Sequence, residues 1–170
     1  MKFTVRDRVF DIGDDYWVED EDGERAFLVD GKALRLRETF ELKDPDGNEL
    51  AVIRKKLFSI RDTMRVERGG ETVATVRKRM FNPIKDKLVV ELADGPEWEI
   101  TGDFLDKEYA ISDDSGPIAH ISRKWFRIRD AYAVDVNTYR DDPGGDPALV
   151  ISVAVCVDAL TDESEESEEE

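Results

Sequence analysis

The sequence predicts a mainly β protein, an antiparallel sheet of many strands with one hydrophobic helix at its C-terminal end. Three observations predict it. Short Val- and Ile-rich runs alternate with Gly, Asp and Asn turn signals along most of the chain. No long amphipathic helical pattern interrupts them. The run DPALVISVAVCVDAL at 146–160 is apolar on all sides, as a helix enclosed on every face would be.

The strands announce themselves in related units. YWVEDEDG at 16–23, FELKDPDG at 40–47 and YAISDDSG at 109–116 each run from an aromatic start into an acidic turn that closes on glycine. FLVDG at 27–31 corresponds in the same way to WEITG at 98–102. The longest echo is threefold: GNELAVIRKKLFSIRDTMRVE (47–67), GETVATVRKRMFNPIKDKLVVE (70–91) and GPIAHISRKWFRIRDAYAVDV (116–136). Each copy reads as a strand, a basic corner punctuated by Phe, and a return strand. The chain therefore resolves into two related halves of one sheet.

The final apolar run calls for a separate argument. Its β-branched residues favour a strand by propensity, but its length without a turn signal and its uniform apolarity fit a buried helix. Pro147 stands where a first helical turn accepts it. A helix over 146–160 would extend about 22 Å at about 1.5 Å per residue, a length suited to threading a closed barrel. Closure would also remove exposed sheet edges. The expected domain is residues 1–160, followed by a disordered acidic tail over 161–170, since TDESEESEEE has no apolar residue to offset its ordering entropy.

A chain of 170 residues can bury a core without covalent staples. Its single cysteine, Cys156, forms no internal disulfide, and MKFTVRDRVF places charges where a signal peptide would need an apolar run. These features point to a cytoplasmic protein with no transmembrane segment. The formal charge of −16 suggests an acidic hydrated surface of the kind that keeps proteins soluble in salt-rich cytoplasm, hence a halophilic source.

The segments KKLFSIRDTMRVE, VRKRMF and DPALVISVAVCVDAL, in this order within hairpin repeats, resemble the LURP-one-related family, whose fold is that of the Tubby C-terminal domain. The resemblance covers about residues 1–160 and rests on segment order, with no catalytic signature. It implies a closed antiparallel barrel of about twelve strands around a central hydrophobic C-terminal helix. Tubby proteins bind phosphoinositide headgroups and the similar phospholipid scramblases are membrane-associated, so the resemblance also implies a place at the inner face of a membrane. It assigns no headgroup-binding residue in this chain.

Strand parity sorts the basic residues of the threefold phrase. Lys55, Lys78 and Arg123 share the apolar face with Ile53, Val76 and Ile121. Each would meet the Asp that opens its return strand, giving structural pairs Lys55 with Asp62, Lys78 with Asp86 and Arg123 with Asp130. The opposite parity carries Arg54, Lys56, Arg77, Arg79 and Lys124. Between Arg54 and Lys87 eleven basic residues face only four acids, in a chain that is otherwise acidic. Such segregation would hold an anion, a lipid phosphate above all; the competing reading is a solvated face whose charges balance neighbouring carboxylates.

Catalytic sets are hard to assemble. His120 takes the strand position held by Val52 and Thr75 in the other copies, and Cys156 lies in the most apolar segment. One His and one Cys make no zinc set, and no GxSxG, phosphate-binding glycine loop or EF-hand spacing occurs. The expectation is a noncatalytic binding or scaffold domain without cofactor, with anionic lipid headgroups or a partner protein as ligand. The overall acidity argues against general nucleic-acid affinity.

Overall fold

In a computed structural model, the protein is described over residues 1–6, 15–31, 39–56, 63–79, 87–124 and 131–168, with side chains through Thr161. Twelve antiparallel strands close into a barrel: β1 (Lys2–Arg6), β2 (Tyr16–Glu19), β3 (Arg25–Gly31), β4 (Thr39–Lys43), β5 (Glu49–Lys55), β6 (Thr63–Arg68), β7 (Glu71–Arg79), β8 (Lys87–Leu92), β9 (Trp98–Asp103), β10 (Glu108–Asp113), β11 (Gly116–Ser122) and β12 (Ala131–Val136). Neighbours in sequence are neighbours in space, and β1 pairs with β12 to close the ring.

The two-half repeat becomes a geometric relation. The related units FELKDPDG and YAISDDSG fall on β4 and β10, six positions apart in a ring of twelve, and therefore face each other across the barrel. The acidic turns of FELKDPDG and YWVEDEDG are built alike. Asp44 Oδ1 accepts hydrogen bonds from the backbone N–H groups of Asp46 and Asn48, and Asp20 Oδ1 does the same for Asp22 and Glu24. These self-closing turns let Gly47 and Gly23 take φ of 89° and 78°, which a side chain would resist.

These tight turns lie at one end of the barrel, called here the turn end. The strand ends on either side of residues 7–14, 32–38, 57–62, 80–86 and 125–130 all lie at the opposite, far end. Register shifts occur at Val18/Glu19, Leu42/Lys43, Val66/Glu67 and Ile111/Ser112, next to the turn end. The alternation of faces is therefore intact where the basic residues sit.

A helix, α1 (Pro147–Glu168), fills the interior. Leu149, Val150, Ile151, Val153, Ala154, Val155, Cys156, Val157, Ala159 and Leu160 are all buried, against inward residues such as Phe40, Ile53, Val66 and Ala74, which stand in one cross-strand row. Each large apolar side chain enclosed in this way contributes about 1.5–3 kcal/mol relative to exposure. Summed along the helix, that outweighs the few tenths of a kcal/mol by which each Val disfavours helix. The turn end anchors its start. Asp146 accepts from the backbone N–H groups of Ala148 (3.0 Å) and Leu149 (3.4 Å), and its other oxygen meets Arg68 of β6 at 2.8 Å.

Inside the helix, the hydroxyls of Ser152 and Thr161 donate to the carbonyls of Ala148 and Val157, one turn back. This satisfies two polar groups that have only apolar surroundings. The backbone remains helical through Glu168, beyond the Leu160 at which the sequence reading ends the helix. Glutamate is a competent helix former, and a helix already nucleated inside the barrel extends without a new nucleus.

Candidate functional site: the cationic far end of the barrel

The outward residues selected by parity do lie outside the barrel, but they do not form one group. Arg54, Lys56, Arg77 and Arg79 belong to the wall made by β5–β8. Lys124 follows β11, which is six strands from β5 in the ring and thus across the barrel from it. The internal repeat that makes these positions equivalent in sequence is what separates them in space.

On the β5–β8 wall, like charges stand directly opposite one another. Arg54 is the cross-strand partner of Arg65, and Arg79 that of Lys87. Such pairs destabilise a sheet unless something compensates. Part of the compensation is diagonal. Arg54 Nε lies 2.8 Å from Glu67, and Arg77 donates from Nε to Glu91 at 3.1 Å and also from Nη2. Both carboxylates stand two residues nearer the turn end than the strand position opposite their arginine, so both guanidinium groups are drawn the same way. Arg79 Nη1 meets Glu97 at 3.2 Å. Lys124, with 78% of its side chain exposed, lies 3.7 Å from Glu108.

Glu108 organises the other side of the far end. It accepts from the Ser122 hydroxyl at 2.6 Å and from the backbone N–H groups of Arg123 and Lys124 at 3.1 and 3.3 Å. Burial acts to raise its pKa. The Ser122 hydrogen bond, the Lys124 charge and the two backbone donors act the other way and leave it below the ordinary glutamate range.

The inward parity also holds. Lys55 stands opposite Met64, and Lys78 opposite Leu88, both of which are core residues. Arg123 follows Ile121 on the same alternation. The three partners expected for them, Asp62, Asp86 and Asp130, lie outside the described residues.

Sequence reasoning missed a fourth inward cation. Lys107, in the β9–β10 connection, is 4% exposed and donates to Asp158 of α1 at 2.8 Å. The Tyr132 hydroxyl donates to the other Asp158 oxygen at 2.6 Å. Burial first, and then the Asp158 charge, raises the Tyr132 pKa well above its ordinary value, so the phenol keeps its proton and acts as a donor. Gly102 on β9 makes this connection possible. A Cβ there would stand 2.4 Å from the Glu108 carbonyl oxygen, at a φ of 139°. The available signal was Asp158 itself, the single formally charged residue in ALVISVAVCVDAL. A charge inside a buried run requires a buried partner. The trio joins β12, the β9–β10 connection and the helix, and fixes α1 in height and rotation.

His120 is exposed on β11 and Cys156 is fully buried in α1, so the two reactive side chain types do not meet. Among the described residues no group of three His, Cys, Asp or Glu is placed to hold a metal ion. No described helix is long and apolar enough to cross a membrane.

The chain is similar to the uncharacterized protein YxjI of Bacillus subtilis, at 27% identity over 142 residues, which cover 84% of this chain and 85% of that protein. Its fold is similar to the crystal structure of a protein from Arabidopsis thaliana, with a TM-score of 0.64 at 19% identity over 94% of this chain and 91% of the other. The model of the LURP-one-related family matches residues 1–158, from β1 to the Asp158 that locks the helix. The chain belongs to the LURP-one-related family.

Proposed function

We propose that the barrel is a noncatalytic binding domain that takes phosphate-bearing lipid headgroups on the outward wall of β5–β8, at the surface of an anionic membrane. The observation that carries this reading is the pair of same-charge cross-strand contacts, Arg54 with Arg65 and Arg79 with Lys87, in a chain of net charge −16. A sheet that is otherwise acidic has little structural reason to place cations opposite cations. A bound dianion would relieve that repulsion. The glutamates already present do not stand in the way, because part-exposed ion pairs contribute only about 0–1 kcal/mol and a phosphate can displace them. The separation of His120 from Cys156 supports the noncatalytic part of the reading.

A second reading, a protein-interaction surface without lipid binding, draws on those same glutamates, since a wall of alternating Arg and Glu also suits a protein partner. Cosedimentation with phosphatidylcholine vesicles carrying phosphatidylserine or a phosphoinositide separates the two. The expected result is binding by the wild-type chain that weakens as salt is raised and is lost in the Arg77→Gln/Arg79→Gln variant, with the melting temperature barely changed. Equal binding by the folded variant would remove the wall from consideration. No wild-type binding at any salt concentration would favour the protein partner.

A further inference from the structure

We infer that Arg65, on β6, is the first ligand of an anion on the β5–β8 wall, and that with the Thr75 hydroxyl and the flanking Arg54 and Arg77 it forms a seat selective for a phosphomonoester. This rests on the anion reading of the wall and narrows it to one cross-strand row. Arg54, Arg65, Thr75 and Glu91 stand in register across β5, β6, β7 and β8, all on the outward face.

The surroundings of Arg65 are already arranged. Glu67 lies 2.8 Å from Arg54, and Glu91 accepts from Arg77, which draws the Arg77 guanidinium back toward the row of Thr75, the residue opposite Glu91. Both glutamates thus have their arginines. Arg65 is different: its Nε is buried and has no hydrogen-bond partner among the described residues. Arg54 Nε, though close to Glu67, is not aligned to donate to it. A buried donor without an acceptor is uncommon, and two of them on directly opposed cations point to an acceptor that brings negative charge. Residues opposite each other across a sheet have Cβ atoms about 4.5–5.5 Å apart, near enough for one oxyanion to meet both guanidinium groups.

The donor set also selects among phosphates. An arginine fork matches two oxygens of one phosphate, and a threonine hydroxyl can donate to a third. A phosphomonoester presents three free oxygens and a charge of about −1.5 to −2 near neutral pH. A phosphodiester presents fewer oxygens and one charge, so it leaves a donor of the row unmet. Either a lipid headgroup or a soluble metabolite can carry the monoester.

The test follows the Arg65 Nε–H resonance and the Thr75 amide by NMR while glycerol 3-phosphate, a soluble monoester, or dimethyl phosphate, a diester, is added to the full chain. The monoester should shift both resonances saturably and the diester should not. Arg65→Gln should weaken monoester binding about tenfold or more, and Arg65→Lys nearly as much, because the fork is lost while the charge stays. Thr75→Val should weaken it by a smaller factor, and Lys124→Gln, across the barrel, should leave it unchanged. An Arg65 Nε–H unmoved by the monoester in the wild-type chain would overturn the inference whether or not the variants fold, as would equal shifts by the diester.

Vesicles separate the two sources. Phosphatidylcholine vesicles carrying phosphatidic acid present the monoester on a membrane, and those carrying phosphatidylglycerol present a diester. Preference for phosphatidic acid that is lost in Arg65→Gln would assign the phosphate to a lipid. Monoester shifts without vesicle binding would support the seat, assign it a soluble phosphate ester and sink the lipid reading. Equal binding to both vesicles by the wild type and by Arg65→Gln, with unmoved resonances, would sink the seat and leave the lipid reading standing. Silence in both arms would sink both.

Discussion

Replacing Lys107 with Met leaves the Asp158 carboxylate inside the barrel with the Tyr132 hydroxyl as its remaining partner among those described, at 2.6 Å. The two ionic side chains are 5% and 9% exposed, so solvent can do little for the abandoned charge. Breaking a buried pair from one side costs about 3–5 kcal/mol. For a chain of this size that corresponds to a fall in melting temperature of roughly 6–20 °C, at about 2–4 °C per kcal/mol. Met keeps the length of the lysine stem and meets the same backbone demand at the φ of 53°, so the loss reports charge and not shape. The Lys107→Met/Asp158→Leu double variant should recover much of the loss, because neither charge is then buried alone. It still leaves the Tyr132 hydroxyl without an acceptor, at about 1–3 kcal/mol. Adding Tyr132→Phe should bring stability to within about 1–2 kcal/mol of the wild type, or above it. Urea unfolding of the three variants measures each step. A Lys107→Met loss below about 1 kcal/mol, or a double variant no more stable than the single one, would refute the assignment of a desolvated ion pair at this position.

Two further outcomes follow from the same geometry. Val153→Asp places a carboxylate at a fully buried point of α1 and should cost more than about 4 kcal/mol, seen as loss of the cooperative thermal transition; an unchanged melting temperature would contradict the enclosed helix. The lowered pKa of Glu108 contributes stability that is present above its ordinary value of 4.5 and is lost as pH falls through the lower folded-state value. Glu108→Gln should accordingly flatten the decline in melting temperature below about pH 4.5, and an unaltered pH profile would mean that the Ser122 and backbone donors do not hold the charge.

The barrel was legible because its signals are local and repeated. The DEDG and DPDG turns, the Val-rich strands and the unbroken run after Pro147 each specify their own conformation, and each agrees with its neighbours. Strand parity correctly placed Lys55 and Lys78 inward and Arg54, Arg77 and Arg79 outward, since the register shifts occur at the other end of the strands. The site was less legible for two physical reasons. Sequence equivalence does not imply proximity: a twofold repeat around a closed ring sends Lys124 to the far side from Arg54. The Lys107–Asp158–Tyr132 trio joins a short connection, a helix and a distant strand, with 51 residues between the two charges, and no spacing rule reaches that far. The diagonal carboxylates Glu67 and Glu91 needed a register before they could be assigned to their arginines.

The position of α1 in the chain has a bearing on how the protein is made. The strands are synthesised before the segment that fills them, and β1 must wait for β12 before the ring can close. Until residues 147–160 leave the ribosome, inward faces bearing Phe40, Ile53, Val66 and Trp98 have no interior to pack against. The nascent sheet is then an open, apolar ribbon with two unpaired edges, a form prone to association with other chains. Packing of the inward faces therefore waits for the helix, whose docking brings Asp146 to Arg68 across 78 residues of chain. Contacts so distant in sequence form slowly, so closure of the ring around α1 should lag behind formation of the individual hairpins.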